Sequence, residues 1–154
     1  MENEELWAKL SEHDDENDII TAGSIGCGQN HFDSTEEGVA CGHAYSILAK
    51  VQLSDGTRLL KLRNPWGAEQ YSGDWSDESD LWTDSLRDEV GAYVANDGIF
   101  FMDLDSFKNN FNWVTVNYDT YDWHHDYFLS LDDDSNDMWG GHWCDNCVHR
   151  ILHV

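Results

Sequence analysis

Apolar positions along the chain fall into short runs, more of them spaced for strands than for helices. Leu6, Trp7 and Leu10 recur at helical spacing and predict a helix over residues 4–13, with acids at its start that suit a helix N-terminus. An acidic loop follows over 14–18, then a strand over 19–25 that ends in Gly23–Ser24–Ile25–Gly26–Cys27–Gly28. The clearest local signal is Ser54–Asp55–Gly56 between the apolar runs 43–53 and 57–62. Asp-Gly tolerates positive φ at both turn positions and predicts a hairpin. A helix is expected over 81–90, capped by Ser79 or Asp80. An apolar strand over 99–104 leads into a short helix over 105–111, and further strands are expected over 113–118, 127–131 and 148–154.

Strands outnumber helices and no βαβ rhythm appears, so the expected class is α+β: a mainly antiparallel sheet or barrel with a few short helices. At 154 residues the chain suits one domain or one lobe with a small extension. We divide it at residue 119, with 120–154 as a C-terminal extension whose most polar stretch is 132–137.

Charge changes the picture of partners. Asp and Glu number 31 against 8 Lys and Arg, a formal net charge of −23. Such a surface repels nucleic-acid phosphates and anionic headgroups and favours cations, basic partners or solubility. Eight Trp argue against a disordered acidic tail. No apolar run approaches the ~20 residues of a membrane span, and the acidic opening Met1–Glu2–Asn3–Glu4–Glu5 does not resemble a signal peptide. The cytoplasm is therefore the expected setting, with Cys27, Cys41, Cys144 and Cys147 mostly reduced.

Two points at the open end of the hairpin carry the chemistry: Gly42–His43–Ala44–Tyr45–Ser46 and Leu62–Arg63–Asn64–Pro65–Trp66–Gly67. A thiol or hydroxyl nucleophile needs a base, and His titrates near neutral pH. An Asn carboxamide oxygen can accept from one ring N–H and leave the other nitrogen facing the nucleophile. Pro65 stiffens the strand exit, and a Trp beside the pair would exclude water. A two-residue Asp55–Gly56 turn would pair Ile47 with Asn64, which puts His43 on the same sheet face but about 13 Å along the strand, at ~3.4 Å per residue. Contact then requires a bulge or a bend. Taken alone, His43 reads as an ordinary half-buried strand residue and Asn64–Pro65 as a turn.

Together with their flanks, these motifs resemble the calpain family of cysteine proteases. Tyr71–Ser72–Gly73–Asp74–Trp75–Ser76–Asp77 is similar to the family's stretch after its NPWG motif. Asp97–Gly98–Ile99–Phe100–Phe101–Met102 is similar to its DGxFWM motif, and the segment from Asp105–Ser106–Phe107 to Phe111 to its aromatic helix. The resemblance runs from Leu6 to Tyr118. It implies the second lobe of a papain-like catalytic domain, with a Cys–His–Asn triad, calcium regulation and protein or peptide substrates. His43 matches the general base, Asn64 the residue that orients it, and Trp66 the tryptophan that shields the pair. The family's nucleophilic Cys lies in a QGxxGDCW-type motif of the first lobe, which this sequence does not contain. The resemblance therefore implies that the chain is inactive alone and needs a partner lobe to supply the Cys. The alternative is a non-catalytic, calpain-like binding or regulatory module. A metal-binding acidic protein is a third reading.

Cys41, two residues before His43, would share its sheet face but lacks a helix N-terminus to lower its pKa, and neither it nor Cys27 is expected to replace the nucleophile. For calcium, Asp77 and Asp97 match two of the family's ligand positions and the Ala95 carbonyl could add a third. Gln70 and Ile99 stand where Glu is usual, which predicts a weakened site. The CxxC of Cys144 and Cys147, between His142 and His149, has the ligand types of a zinc site, as do His124 and His125. Its spacing is unusually tight and there is no second knuckle, so zinc is not expected. Residues 127–154 are also compatible with the start of the β-sandwich that follows the protease domain in calpains.

Overall fold

A computed structural model describes residues 1–15, 19–27, 33–68, 70–117, 126–130 and 151–153. Three helices and one sheet make up the described residues. Helix α1 spans Asn3–Asp15, with Glu4 and Glu5 in its first turn, where acids complement the helix dipole. The strands are β1 (Ile19–Ser24), β2 (Ala44–Gln52), β3 (Arg58–Arg63), β4 (Ile99–Asp103), β5 (Phe111–Asn117), β6 (Asp126–Ser130) and β7 (Ile151–His153). They lie in the order β4-β3-β2-β1-β5-β6-β7. Pairings from β4 through β6 are antiparallel, and β7 lies antiparallel to β5 and parallel to β6. The expected α+β class with a mainly antiparallel sheet is the one observed.

Both faces of β3 and of the edge strand β4 are covered, which explains why β4 reads as a continuous apolar run. Leu60 and Leu62 of β3 and Phe100 and Met102 of β4 point into a core they share with Leu6 and Leu10 of α1 and with Phe107 and Phe111. Leu59 and Phe101 point the other way, into a second cluster with Trp75, Trp82 and Ala92. Helix α3 (Leu104–Asn110) starts where the Asp103 carboxylate accepts from Ser106 N, so β4 hands over to the helix one residue earlier than expected.

Helix α2 (Asp84–Val90) differs more from expectation. Thr83 caps it, not Ser79 or Asp80, and Gly91 in the left-handed region ends it. Residues 76–82 instead form successive turns, because the buried Trp82 indole N–H donates to the carbonyls of Trp75 and Ser76 and holds that chain out of a helix.

The hairpin is present with a different register. Gly56 N–H donates to the Leu53 carbonyl, Leu53 N–H donates to Thr57, and Gly56 takes a φ of 94°. The connection is thus a three-residue loop whose last residue is a left-handed glycine, and it pairs Gln52 with Arg58. A bulge between Ile47 and Ala49 shifts the ladder again, so Ile47 faces Leu62 rather than Asn64 and Ser46 faces Arg63.

Candidate active site

The two register shifts are what bring the site together. Each moves the end of β3 one residue toward the start of β2, so Asn64 leaves its strand beside His43. His43 Nε2 lies 3.0 Å from Asn64 Oδ1. The longer loop and the bulge halve the gap of four residues inferred from an ideal two-residue turn, and the rest is spanned beyond the ladder, where His43 precedes β2 and Asn64 follows β3.

Asn64 is 3% exposed, and every polar group on it has a partner. Its backbone N–H donates to the Gly98 carbonyl at 2.8 Å, its Nδ2 donates to Ala68 O at 3.1 Å, and its Oδ1 also accepts from Trp66 N at 3.0 Å. Nδ2 is a donor only, so its bond to Ala68 fixes which end of the amide faces His43. With Oδ1 accepting, the imidazole presents Nε2–H to it and carries its other function at Nδ1, for which the described residues supply no partner. Gly98 is needed at its position. It has a φ of 83°, and a side-chain carbon there would stand 2.8 Å from Asn64 O.

His43 is held from behind. Ser24, at the end of β1 and 4% exposed, donates its hydroxyl to Ala40 O at 2.6 Å and accepts from His43 N at 2.9 Å. Tyr45 Oη accepts from Ala40 N at 2.9 Å, and the Tyr45 ring meets the imidazole edge-on at 5.0 Å. Burial pushes the Tyr45 phenol up in pKa, against the smaller opposing effect of the Ala40 hydrogen bond, so it stays a neutral support for the turn. Trp66 covers the imidazole with its ring centroid 4.1 Å away and tilted 31°, while 54% of the residue remains open to solvent. Ser24, Ala68 and Gly98 were not singled out from the sequence. Ala68 and Gly98 contribute through backbone carbonyls and Ser24 through a hydroxyl whose partners are backbone atoms, and only the Gly before an apolar strand leaves a trace in the sequence.

Cys27 and Cys41 form a disulfide, contrary to the expectation of mostly reduced thiols. The cause is the pairing of β1 with β2, which lays the exit of one strand beside the entry of the other: Gly42 N–H donates to Ile25 O and Ser24 N–H to His43 O. While paired, neither sulfur can act as a nucleophile.

Asp77 and Asp97 both bond the backbone of Ala95, Asp77 through its carboxylate and Asp97 through its N–H, which donates to Ala95 O at 2.9 Å. Asp77 Oδ2 accepts from Ala95 N at 2.8 Å and Asp97 Oδ1 accepts from Ile99 N at 2.8 Å. A cavity of about 930 Å³ opens between residues 70–81 and 94–96. Glu37, Asp74, Asp77, Glu78 and Asp80 line it, but Asp97 does not. No three His, Cys, Asp or Glu side chains among the described residues converge as metal ligands. Calcium takes six to eight oxygens including several carboxylates, and this donor set falls short of it. The zinc-like set of His124, His125, His142, Cys144, Cys147 and His149 lies outside the described residues, as do most residues of the extension. No helix among the described residues is long and apolar enough to cross a membrane.

Comparison with known proteins agrees with the fold and the paired motifs. Residues 1–118 match the calpain family cysteine protease profile. The calpain-type cysteine protease DEK1 of Arabidopsis thaliana is 36% identical over 113 residues, which is 72% of this chain and 5% of that protein. Calpain-12 of Mus musculus is 42% identical over 88 residues, covering 53% of this chain and 12% of calpain-12. Calpain clp-1 of Caenorhabditis elegans is 43% identical over 87 residues, covering 51% and 11%. The chain belongs to the calpain family of cysteine proteases. It spans only a small part of the length of these relatives.

Proposed function

We propose that this chain is the His–Asn lobe of a calpain-type cysteine endopeptidase, with the nucleophilic Cys supplied by a first protease lobe. The observation that carries the reading is the 3.0 Å contact of His43 Nε2 with an Asn64 oxygen whose orientation is fixed by Ala68.

The chemistry follows from that geometry. A Cys thiol of the first lobe, facing Nδ1, gives up its proton to His43, and the thiolate attacks the scissile carbonyl of an extended protein segment. His43 then protonates the leaving amine. In the second half it takes a proton from water as the acyl-enzyme is hydrolysed. Asn64 keeps the ring in the orientation that leaves Nδ1 free for this, and Trp66 shields the His–Asn hydrogen bond from water on one face. No step passes through calcium. Asp77 and Asp97 are proposed as no more than weak calcium ligands, because Gln70 and Ile99 stand where further carboxylates are usual in the family and one oxygen of each Asp already accepts a backbone N–H.

The test is hydrolysis of a fluorogenic peptide by the chain alone and by the chain mixed with a calpain first lobe containing the Cys. Activity only in the mixture, lost on His43→Ala, is expected. Folded chain without activity in either sample would instead support a non-catalytic binding module.

A further inference from the structure

We infer that Cys27 and Cys41 are a reversible redox-modification site that controls how firmly His43 is held, an inference that rests on the proposed reading for its significance.

The pair is preorganised. Its Cα atoms are 5.5 Å apart, within the range a disulfide spans. Backbone hydrogen bonds between the two segments fix that spacing independently of the sulfurs: Gly42 N–H to Ile25 O, and Ser24 N–H to His43 O. The reduced chain therefore keeps its strands paired, and its thiols remain positioned to close again. Cys41 is 7% exposed, whereas Cys27 is partly exposed and is the sulfur a small thiol or disulfide can reach.

Closure needs an oxidant, here a low-molecular-weight disulfide. The Cys27 thiolate attacks one of its sulfurs and expels a first thiolate. The Cys41 thiolate then attacks the Cys27 sulfur of the mixed disulfide and expels the second. Two protein thiols lose two protons and two electrons, and one small disulfide becomes two small thiols.

The consequence reaches the imidazole through a short path. Cys41 lies between Ala40, whose carbonyl and N–H are held by Ser24 and Tyr45, and Gly42, which turns the chain into His43 with a φ of 59°. Clamping Cys41 to the end of β1 fixes Ala40 against Ser24, and Ser24 holds the His43 N–H. Opening the bond leaves this turn with hydrogen bonds alone, and the His43–Asn64 contact opens more often.

The experiment equilibrates the full chain in glutathione buffers of graded ratio, alkylates the free thiols and reads Cys27 and Cys41 by mass spectrometry. In parallel, solvent exchange of the His43 Nε2 proton is followed by nitrogen-15-edited NMR. The expected result is full interconversion of the pair. Exchange should be about tenfold faster in the reduced chain and in Cys27→Ala, the latter no longer responding to glutathione, as local opening becomes more frequent. Failure of the bond to form in excess oxidised glutathione would overturn the inference. So would an exchange rate equal within about twofold in the two states. Neither readout needs peptidase activity, so this inference and the catalytic reading can fail separately.

Discussion

Two regions of this lobe invite comparison as binding sites: the hairpin exit around His43, and the acidic cavity between residues 70–81 and 94–96. The hairpin exit holds few ionisable groups, yet backbone and side-chain bonds from Ser24, Ala68 and Gly98 converge on one imidazole and one carboxamide. The cavity is lined by five carboxylates, but Asp77, the one its lining shares with the family's calcium ligands, is turned to a backbone N–H. Asp97, the other, lies outside that lining and does the same. The contrast shows that convergent, fully partnered geometry marks chemistry better than density of charge does. In a chain of net charge −23, five acids around a hollow are close to what the surface supplies anywhere.

The sharpest way to break this contrast is at the imidazole. His43→Ala should lower peptide hydrolysis by the two-lobe mixture roughly 10²- to 10⁴-fold. Its urea midpoint should stay close to that of the parent chain. A loss below about tenfold would remove the site's claim to general-base chemistry. Phe107→Ala, which empties a 0% exposed position between α3 and the sheet, should act the opposite way, costing ~3–5 kcal/mol in denaturant unfolding through its cavity. Gly98→Ala joins the two effects. A side chain at a φ of 83° and against Asn64 O should cost about 1–3 kcal/mol and also slow hydrolysis. Loss of stability with unchanged hydrolysis would separate Gly98 from the site. The smallest effect is expected at the cavity. About 1 mM calcium should move the thermal midpoint of the chain by less than about 1 °C, whereas an ion at a hundred times its Kd would add about 2.7 kcal/mol. A shift of several degrees, abolished by Asp77→Asn, would restore the cavity as a calcium site.

Alkaline pH probes the support under His43. Burial raises the phenols of both Tyr45 and Tyr71 above the ordinary value of 10.0. Below that value both are protonated whether the chain is folded or not, and their contribution to stability is complete. Above it the unfolded chain releases phenolic protons that the folded chain retains, so stability should fall as pH climbs past about 10. Tyr45→Phe should flatten part of that decline in denaturation midpoints taken at successive pH values.

Much of the fold could be read from the sequence, because its signals are local. Helical spacing at Leu6, Trp7 and Leu10 located α1, and Asp55–Gly56 located the hairpin. The hairpin's register could not be read. Asp-Gly is compatible with both a two-residue and a three-residue connection, and the bulge at Leu48 depends on how β2 packs between β1 and β3. The sequence places the start of helix α2 too early because Ser79 and Asp80 look like caps, and only the Trp82 indole bonds reveal them as turn residues. A resemblance picks out His43, Asn64 and Trp66, but their distances depend on two register shifts and on the chain path beyond the ladder, none of which is visible in composition or periodicity. The disulfide was missed because no local pattern shows that Cys27 and Cys41 leave and enter neighbouring strands.

The order of the strands also bears on how the lobe comes to be folded. The hairpin that presents His43 and Asn64 is made of neighbouring segments, whereas β1 joins β5 in a register that runs from Ile19 against Asn117 to Ser24 against Phe111. Contacts between such distant segments are reached slowly, since a long loop must close before they are rewarded. The meeting of histidine and asparagine is thus expected early in the life of the chain, while the clasp of its first strand on its fifth sets the pace.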